Sequence, residues 1–501
     1  MIREFIERND QKVQRAIETL FGLTIWSIII FPLWGSFVIP RVVAYFVIAF
    51  DVYWLYKSFE IAFLGLRGYM KIKKAEKTNW QKKCQEEENK GFLDWEEIRH
   101  VVIIPNAGET AEKLSQNLDS LKEQALGPEK LFVVLAMEER VKGSKETAET
   151  LLEKYRGVFG RLWVTFHPAN LPGEVVGKAS NEAWAAKRAK EKLLAEGFNL
   201  KNLTLTSCDA DAQFHPKYFK ALTYEFATNP ERYLRFWQSP IFWYNNLWQV
   251  PAFIKIVAIL GNIGYIAQLQ DPAGLFFNYS CYSASFSMVD EIGYWDTDII
   301  PEDWHVFLQA FFTLEGKVEI EPIFLPTNTD APESKTYFGS LVNRYRQCKR
   351  HAWGASDISY TVKQIFAHPE IPLVTRVLRF YKLVEGHLLW HTHWFLLTLG
   401  TTIPSLLNPA FKQTILGQNL PRIAGGILTI CLFGLGTIIA LDVALRPPKP
   451  KEIPWWVTPA YYLQWFLMPL ATLFMSALPG LESHTRLMWG KHLEYRVTEK
   501  V

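Results

Sequence analysis

The sequence predicts an α/β domain built on a mainly parallel sheet, flanked at both ends of the chain by transmembrane helices. Two observations lead there. Residues 95–330 alternate short β-type runs with amphipathic helical stretches, the rhythm of strands joined by crossover helices. The flanking stretches hold apolar runs of the length a bilayer core demands, about 20 residues.

Each membrane element follows from composition. Residues 20–39 (LFGLTIWSIIIFPLWGSFVI) carry no charge and read as a first span. Residues 42–56 (VVAYFVIAFDVYWLY) are interrupted only by Asp51, and the short Pro40–Arg41 connection predicts a helical hairpin over 1–60. Asp51 either lines an acceptor path or makes a polar contact between packed helices. Residues 61–94 turn charged (KIKKAEKTNWQKKCQEEENK) and predict a cytosolic interfacial helix by the positive-inside rule. Past the α/β domain, 356–387 read as interfacial amphipathic helices, because TRVLRFYKLVEGH alternates basic and apolar residues at helical spacing. Three further spans, 388–407, 423–445 and about 456–479, fill a C-terminal bundle over 388–480, with RPPKPK (446–451) as a basic cytosolic loop. Five spans put the 481–501 tail across the membrane from the domain, whereas its basic character favours the cytosolic face, so its side stays open. Trp390, Trp394, Trp455 and Trp456 read as interfacial belt residues, and His391 and His393, two apart on a helix, do not form a metal pair.

Composition narrows the function classes. Hydrophobic residues make up 49% and aromatics 15%, concentrated in the flanks, while a net charge of +3 gives no support to a nucleic-acid partner. The N-terminus MIREFIERNDQKVQR is charged throughout and lacks the short apolar core of a cleaved signal. Five scattered cysteines (Cys84, Cys208, Cys281, Cys348, Cys431) show no metal spacing and read as reduced thiols facing a cytosol.

Within 95–355, HVVIIP (100–105) is a continuous apolar run suited to a strand buried on both faces, followed by a helix in which Leu114, Leu118 and Leu121 share a face. LFVVLAM (131–137), LWVTF (162–166) and LTLTSC (203–208) predict three more strands, with helices near 144–155 and 179–195. Open parallel sheets bind ligands beyond the carboxyl ends of their strands. Asp209 and Asp211 stand there, in TSCDADAQFHP, one residue apart and able to face the same way. Two carboxylates so placed suit Mg²⁺ or Mn²⁺ shared with a diphosphate; one of them could instead cap the helix of HPKYFKALTYEF. In IIPEDWHVFLQAFF, Glu302 and Asp303 open a helix, which fits either dipole complementarity or, for Asp303, a general base. RYRQCKRHAWG (344–354) is basic and ends near Trp353, fitting contact with anionic lipid, or binding of leaving-group phosphates with a sugar stacked on Trp353.

In this order and between membrane segments, VVIIPNAGET, PGEVVGKASNEAWA, CDADAQF, IIPEDWH and RQCKRHAWG resemble the motif series of membrane-integral glycosyltransferase family 2, the group of cellulose and hyaluronan synthases, over about residues 95–355. The resemblance implies a Rossmann-like, mixed but mainly parallel GT-A sheet. It implies that Asp209 and Asp211 bind a nucleotide diphosphate, Asp211 through Mg²⁺ or Mn²⁺, and that Asp303 is the catalytic base. Gln347 and Arg350, at the first and fourth places of the QxxRW motif, would face the diphosphate or acceptor; Pro105 and Glu109 would border the nucleotide; Lys178 and Asn181 would line the donor pocket. The chain departs from the pattern at Ala107 and Gly108, where the family has an aromatic and Asn, and at His351, where it has Trp. AMEER replaces the acidic base-reading segment, leaving Glu138 or Glu139 as its substitute. The implied activity is inverting transfer of a sugar from a nucleotide-diphosphate sugar to a lipid-linked or growing-glycan acceptor, by an integral membrane protein with a cytosolic catalytic domain (plasma membrane if prokaryotic). The opposing class is a membrane scaffold that keeps the fold without catalysis.

Overall fold

The computed structural model of the protein describes residues 2–87 and 92–491. Helices α1 (Ile2–Arg8), α2 (Asp10–Val38), α3 (Pro40–Lys77) and α4 (Trp80–Glu87) precede the sheet. The central region runs β1 (Arg99–Asn106), α5 (Ala111–Lys122), β2 (Leu131–Glu138), α6 (Ser144–Lys154), β3 (Arg161–His167), α7 (Lys178–Ala195) and β4 (Leu203–Ser207). It continues with β5 (Gln213–Phe214), α8 (Tyr218–Thr228), β6 (Arg235–Gln238), β7 (Ile241–Phe242), α9 (Ala252–Gln268), β8 (Tyr282–Ser285), α10 (Phe286–Glu291) and α11 (Glu302–Thr313). Short strands β9 (Glu319–Pro322) and β10 (Thr327–Asn328) lead to α12 (Tyr337–Ala352) and α13 (Ser356–Ala367). The C-terminal helices are α14 (Leu373–Leu399), α15 (Ile403–Leu407), α16 (Pro409–Lys412), α17 (Ile415–Leu445), α18 (Val457–Leu463), α19 (Met468–Thr472) and α20 (Leu478–Met488).

The main sheet has the order β3-β2-β1-β4-β8-β6-β9. β1 pairs in parallel with β2 and β4, β2 with β3, and β6 with β9, while β8 runs antiparallel between β4 and β6. This is the mixed, mainly parallel α/β sheet expected, and its four leading strands fall on the four apolar runs. The reason is two-sided burial. On β1, Val101 and Ile103 pack with Val134 and Ala136 on one face, and Val102 and Ile104 with Val133 and Leu135 on the other. A strand covered by helices on both faces has no polar side to show, so its residues are apolar without alternation.

The helical flanks differ from the sequence reading in four places. Among the described residues, four helical segments are long and apolar enough to cross a membrane: Asp10–Val38, Pro40–Lys77, Ile415–Leu445 and Val457–Met488. The third expected span, 388–407, instead divides between the second half of α14, which ends at Leu399, and α15. The first half of α14, expected on a membrane surface, buries Arg376 and Arg379, and Arg379 donates to the carbonyl of Gly274 at 2.9 Å and stacks on Phe307. Arg379 thus meets the α/β domain, while Leu373, Val374, Val377 and Leu378 on the same half of the helix are exposed. Second, the boundary at residue 60 falls inside α3, which has no breaker before Thr78; Gly65 and Gly68 let it approach Ile263 and Ile266 of α9. Third, α20 carries the last helix beyond 479 to Met488, into the expected tail, whose residues 492–501 lie outside the described ones. Fourth, Trp390 and Trp394, read as belt residues, line an internal cavity, while Trp455 and Trp456 are exposed.

Candidate active site

A cavity of about 960 Å³ opens beyond the carboxyl ends of β1, β2 and β4. Nine of the residues picked out in the sequence border it: Pro105, Glu109, Glu138, Lys178, Asn181, Asp209, Asp303, Gln347 and Arg350. Asp211 and Trp353 do not.

The β1 end supplies Pro105 and a tight loop. Glu109 Oε2 accepts the Ala107 N–H at 2.9 Å, and Gly108 sits at φ +126°, a conformation that favours glycine and so accounts for the departure from Asn there. At the β2 end, Glu138 is buried and meets Arg140 Nε at 3.1 Å and His167 Nδ1 at 3.5 Å. Burial opposes the His167 charge, but Glu138 and Glu174 together raise its pKa. Glu139 is exposed and off the cavity, so of the two acids only Glu138 faces the space. Asn181 spends its amide on the Ala136 carbonyl at 2.8 Å, fastening α7 to β2.

Past β4, the two aspartates part company. Asp209 stands on the cavity wall, its Oδ1 2.9 Å from Lys178 Nζ and its Oδ2 accepting the Ser280 hydroxyl at 2.6 Å. Asp211 is buried behind it, with Oδ2 accepting the Asp330 N–H at 2.7 Å. Neither caps the following helix, whose N-cap is Lys217. Asp330, which the sequence reading passed over, does line the cavity and is bound by Lys113 Nζ at 2.6 Å and by Asn245 Nδ2 at 3.0 Å.

Ser280 joins Asp209 and Lys178 to Asp303. Besides its hydroxyl on Asp209, its N–H donates to Asp303 Oδ2 at 3.1 Å and its carbonyl accepts from Lys178 Nζ at 2.9 Å. The residue adopts φ +56°, a left-handed geometry that costs a non-glycine residue about 1 kcal/mol. No local signal marks Ser280, since antiparallel pairing of β8 with β4 is what brings it beside a residue 71 positions earlier.

Asp303 also accepts the Trp304 N–H at 2.9 Å in the first turn of α11. Burial, reinforced by neighbouring Glu302, pushes its carboxyl up to about 7, against the pull of Lys178 and the two N–H donors. Lys178 meets Asp209, Glu302 (3.2 Å) and Glu182 (3.9 Å); burial works against its charge, yet these acids hold its pKa well above the ordinary lysine value. Burial raises Glu182 to about 8, with Lys178 acting in the opposite sense. Behind the site, His305 is clamped between Asp357 (2.7 Å) and Asp296 (2.9 Å), tying α11 to α13. Burial disfavours its charge, but the two acids raise it to about 10.

On α12, Arg344 donates to Gln347 Oε1 at 2.7 Å and stacks on Trp243, with Gln347, Arg350 and His351 on the cavity wall. Lys349 pairs with Glu482 of α20 at 3.0 Å, so this basic stretch meets protein as well as the cavity. Trp353, expected to stack a sugar, packs into the core instead because the helix turns over at Trp353–Ala355 and leaves Gly354 on the wall.

The carboxylates of Asp209 and Asp211 are oxygen donors of the kind a hard cation takes. Among the described residues no group of three or more His, Cys, Asp and Glu could hold a metal by itself. A cation here fits as one that completes its shell with substrate phosphate, the usual habit of Mg²⁺.

No protein-family model matches this chain, and no curated protein sequence matches it. Solved structures with a similar fold include a mannosyltransferase from Pyrobaculum calidifontis in complex with GDP-Man and Mn²⁺ (TM-score 0.41, 14% identity, covering 89% of this chain and 100% of that one). S. aureus TarS 1–349 in complex with UDP-GlcNAc matches at TM-score 0.36 and 11% identity over 78% of this chain and 91% of that one. GalNAc-T7 with UDP, GalNAc and Mn²⁺ matches at 0.32 and 12% over 62% and 57%. The fold assignment itself stands on the strand order and registers above.

Proposed function

We propose that the chain is an inverting glycosyltransferase, an integral membrane protein that moves a sugar from a nucleotide-diphosphate sugar to a lipid-linked or growing-glycan acceptor at the cytosolic face. The observation that carries this reading is the convergence of Asp209, Lys178 and Asp303 on Ser280 at one cavity. The donor diphosphate would lie by Asp209, Lys178 and Arg350, with Pro105, Glu109 and Glu138 toward the nucleotide. Mg²⁺ or Mn²⁺ held by Asp209 and the diphosphate would supply positive charge to the leaving group.

In the transfer, Asp303 takes the proton of the acceptor hydroxyl. The hydroxyl oxygen forms its bond to the anomeric carbon while the bond from that carbon to the diphosphate oxygen breaks, its electron pair leaving with the diphosphate. One such displacement inverts the anomeric centre. A carboxyl with a pKa of about 7 is matched to this duty at neutral pH. Arg344, held by Gln347, and Arg350 both line the cavity and would supply fixed donors for the charge that develops on the diphosphate.

The test uses the full chain in detergent with Mn²⁺ and a panel of UDP- and GDP-sugars. A nucleotide-sugar that raises the melting temperature identifies the donor, and Asp303→Asn is expected to keep that shift while losing transfer. A folded Asp303→Asn with full transferase activity overturns the assignment of the base.

A further inference from the structure

The cavity does not stop at the charged residues. From Asp303 and Trp304 it continues between α3, α9, α14 and α17, where Ile61, Leu64, Leu260, Leu397, Leu432 and Leu435 are its aliphatic residues, beside Trp390, Trp394 and Thr398 of α14. Gly261 and Gly264 of α9, three apart and so on one face, also line it. A Cβ added at Gly264 would meet nothing within 4 Å, and one at Gly261 only the Tyr265 ring at 3.9 Å. Glycine in a helix interior costs about 1 kcal/mol relative to alanine. Neither glycine is required by backbone conformation or by a close-packed neighbour, so what they provide is open space.

The depth is informative. On α14, Gly386 lies beside the Trp304 ring, and Leu397, eleven residues further, still borders the cavity. At 1.5 Å per residue that is about 16 Å, roughly half of a ~30 Å hydrocarbon core. A conduit for a polymer must cross the whole core and offer hydrogen bonds to each sugar. The aliphatic stretch from Ile61 to Leu435 offers none, and unmade hydrogen bonds are costly away from water. Of the aromatic residues on the wall, Trp54 has a face covered by His393, stacked at 4.8 Å.

The polar residues on the same wall narrow the head of the occupant. Lys57 pairs with Glu60 (2.9 Å) and Glu385 (3.1 Å), and Lys382 with Asp271 (3.3 Å) and Glu385 (3.6 Å). Two lysines against three carboxylates leave a net negative cluster in which both cations are already paired. An arriving phosphate would be repelled there, whereas a hydroxyl can bond to either partner.

We propose that the acceptor is a membrane lipid with an uncharged, hydroxyl-bearing head, its hydroxyl presented to Asp303 and a hydrocarbon tail lying along the aliphatic wall. This rests on the transferase reading of the same site, and the bond changes are those given above, with the lipid oxygen as nucleophile. One lipid enters, one sugar is added, and the product leaves toward the bilayer.

The experiment takes the full chain in mixed micelles with the donor found by thermal shift, and offers dioleoylglycerol, a polyprenyl phosphate or a soluble oligosaccharide. Dioleoylglycerol is expected to be glycosylated at least 10-fold faster than the other two. Gly264→Leu, which gains helix propensity and whose Cβ meets nothing within 4 Å, is expected to cut that transfer at least 10-fold while the nucleotide-sugar still raises the melting temperature. Leu435→Trp on the facing helix gives the same loss by an independent route should the glycine variant fail to fold. Faster transfer to polyprenyl phosphate, elongation of the oligosaccharide, no transfer to dioleoylglycerol despite donor binding, or undiminished transfer by the folded variants overturns the proposal. Absence of any donor-dependent shift is the separate failure, that of the transferase reading itself.

Discussion

Where the cavity meets the sheet, Lys178, Asp209, Glu302 and Asp303 lie within 3.2 Å of a charged or hydrogen-bonding partner, each held by the next. Where it passes between α3, α9 and α17, leucine, isoleucine and two glycines dominate the wall, with Lys57, Glu60 and Gln268 as its charged and amide residues. The first region derives its character from groups that must be placed to a few tenths of an ångström, because uncompensated charge away from water is expensive. The second derives it chiefly from shape. The same cavity therefore presents one end that is intolerant of any chemical change and another that tolerates change until volume is lost.

That contrast orders the expected effects. The largest is Asp303→Asn, which removes the base and is expected to lower transfer by about 10²–10⁴-fold; a radiolabel assay reads it. With wild type, kcat/KM should rise with pH through about 7, since only the carboxylate accepts a proton. The same group carries a stability signature. Its pKa in the folded chain lies above the ordinary 3.8, so the folded state binds more protons between about 4 and 7 and stability falls as pH rises across that window. Asp303→Asn should abolish the fall, visible as a melting temperature at pH 8 above that of wild type.

Next is Lys178→Met, which strips the shared cation from Asp209, Glu182 and Glu302. Roughly 3–5 kcal/mol of stability should go, measured by denaturant unfolding, with donor binding lost as well. A wild-type unfolding midpoint would mean that the acidic end is not held together by this lysine. His305→Gln comes third, at about 3 kcal/mol. Because His305 titrates at about 10 when folded, its contribution is complete below about pH 6.5 and is lost as pH climbs through 10. The His305→Gln and wild-type curves should therefore converge in alkali. Ser280→Ala is the smallest, about 2 kcal/mol for a hydroxyl bonded to a carboxylate, and should appear as weakened donor binding. At the apolar end, Leu432→Ala should leave donor binding untouched, a result that sharpens the contrast.

The two ends were also unequally legible in the sequence. Strand ends announce themselves, so Asp209 after LTLTSC and Asp303 at the start of α11 could be placed from local pattern, and the structure puts both on one cavity. Asp211 illustrates the limit of spacing arguments, since one residue more along the chain buried it against the Asp330 amide. Trp353 shows the same limit at a helix end, where a short 3₁₀ turn redirects the ring into the core. Ser280 and Asp330 are joined to Asp209 and Asp211 only by tertiary pairing, for which a single sequence holds no local mark. The apolar end was least legible. Gly261 and Gly264 inside an apolar helix look like lowered propensity, and only neighbouring helices turn them into a vacant volume. Continuity of α3 and α14 is not legible because charge within an apolar run reads as the end of a span, whereas both helices run on through it.

Ser280 has one more implication. Its amide, carbonyl and hydroxyl bond to Asp303, Lys178 and Asp209 in turn, so a displacement of any one of the three reaches the other two through a single residue. On the proposed transferase reading the donor is expected to bind before the acceptor, and a dead-end nucleotide should then be competitive against the nucleotide-sugar alone in initial-rate plots.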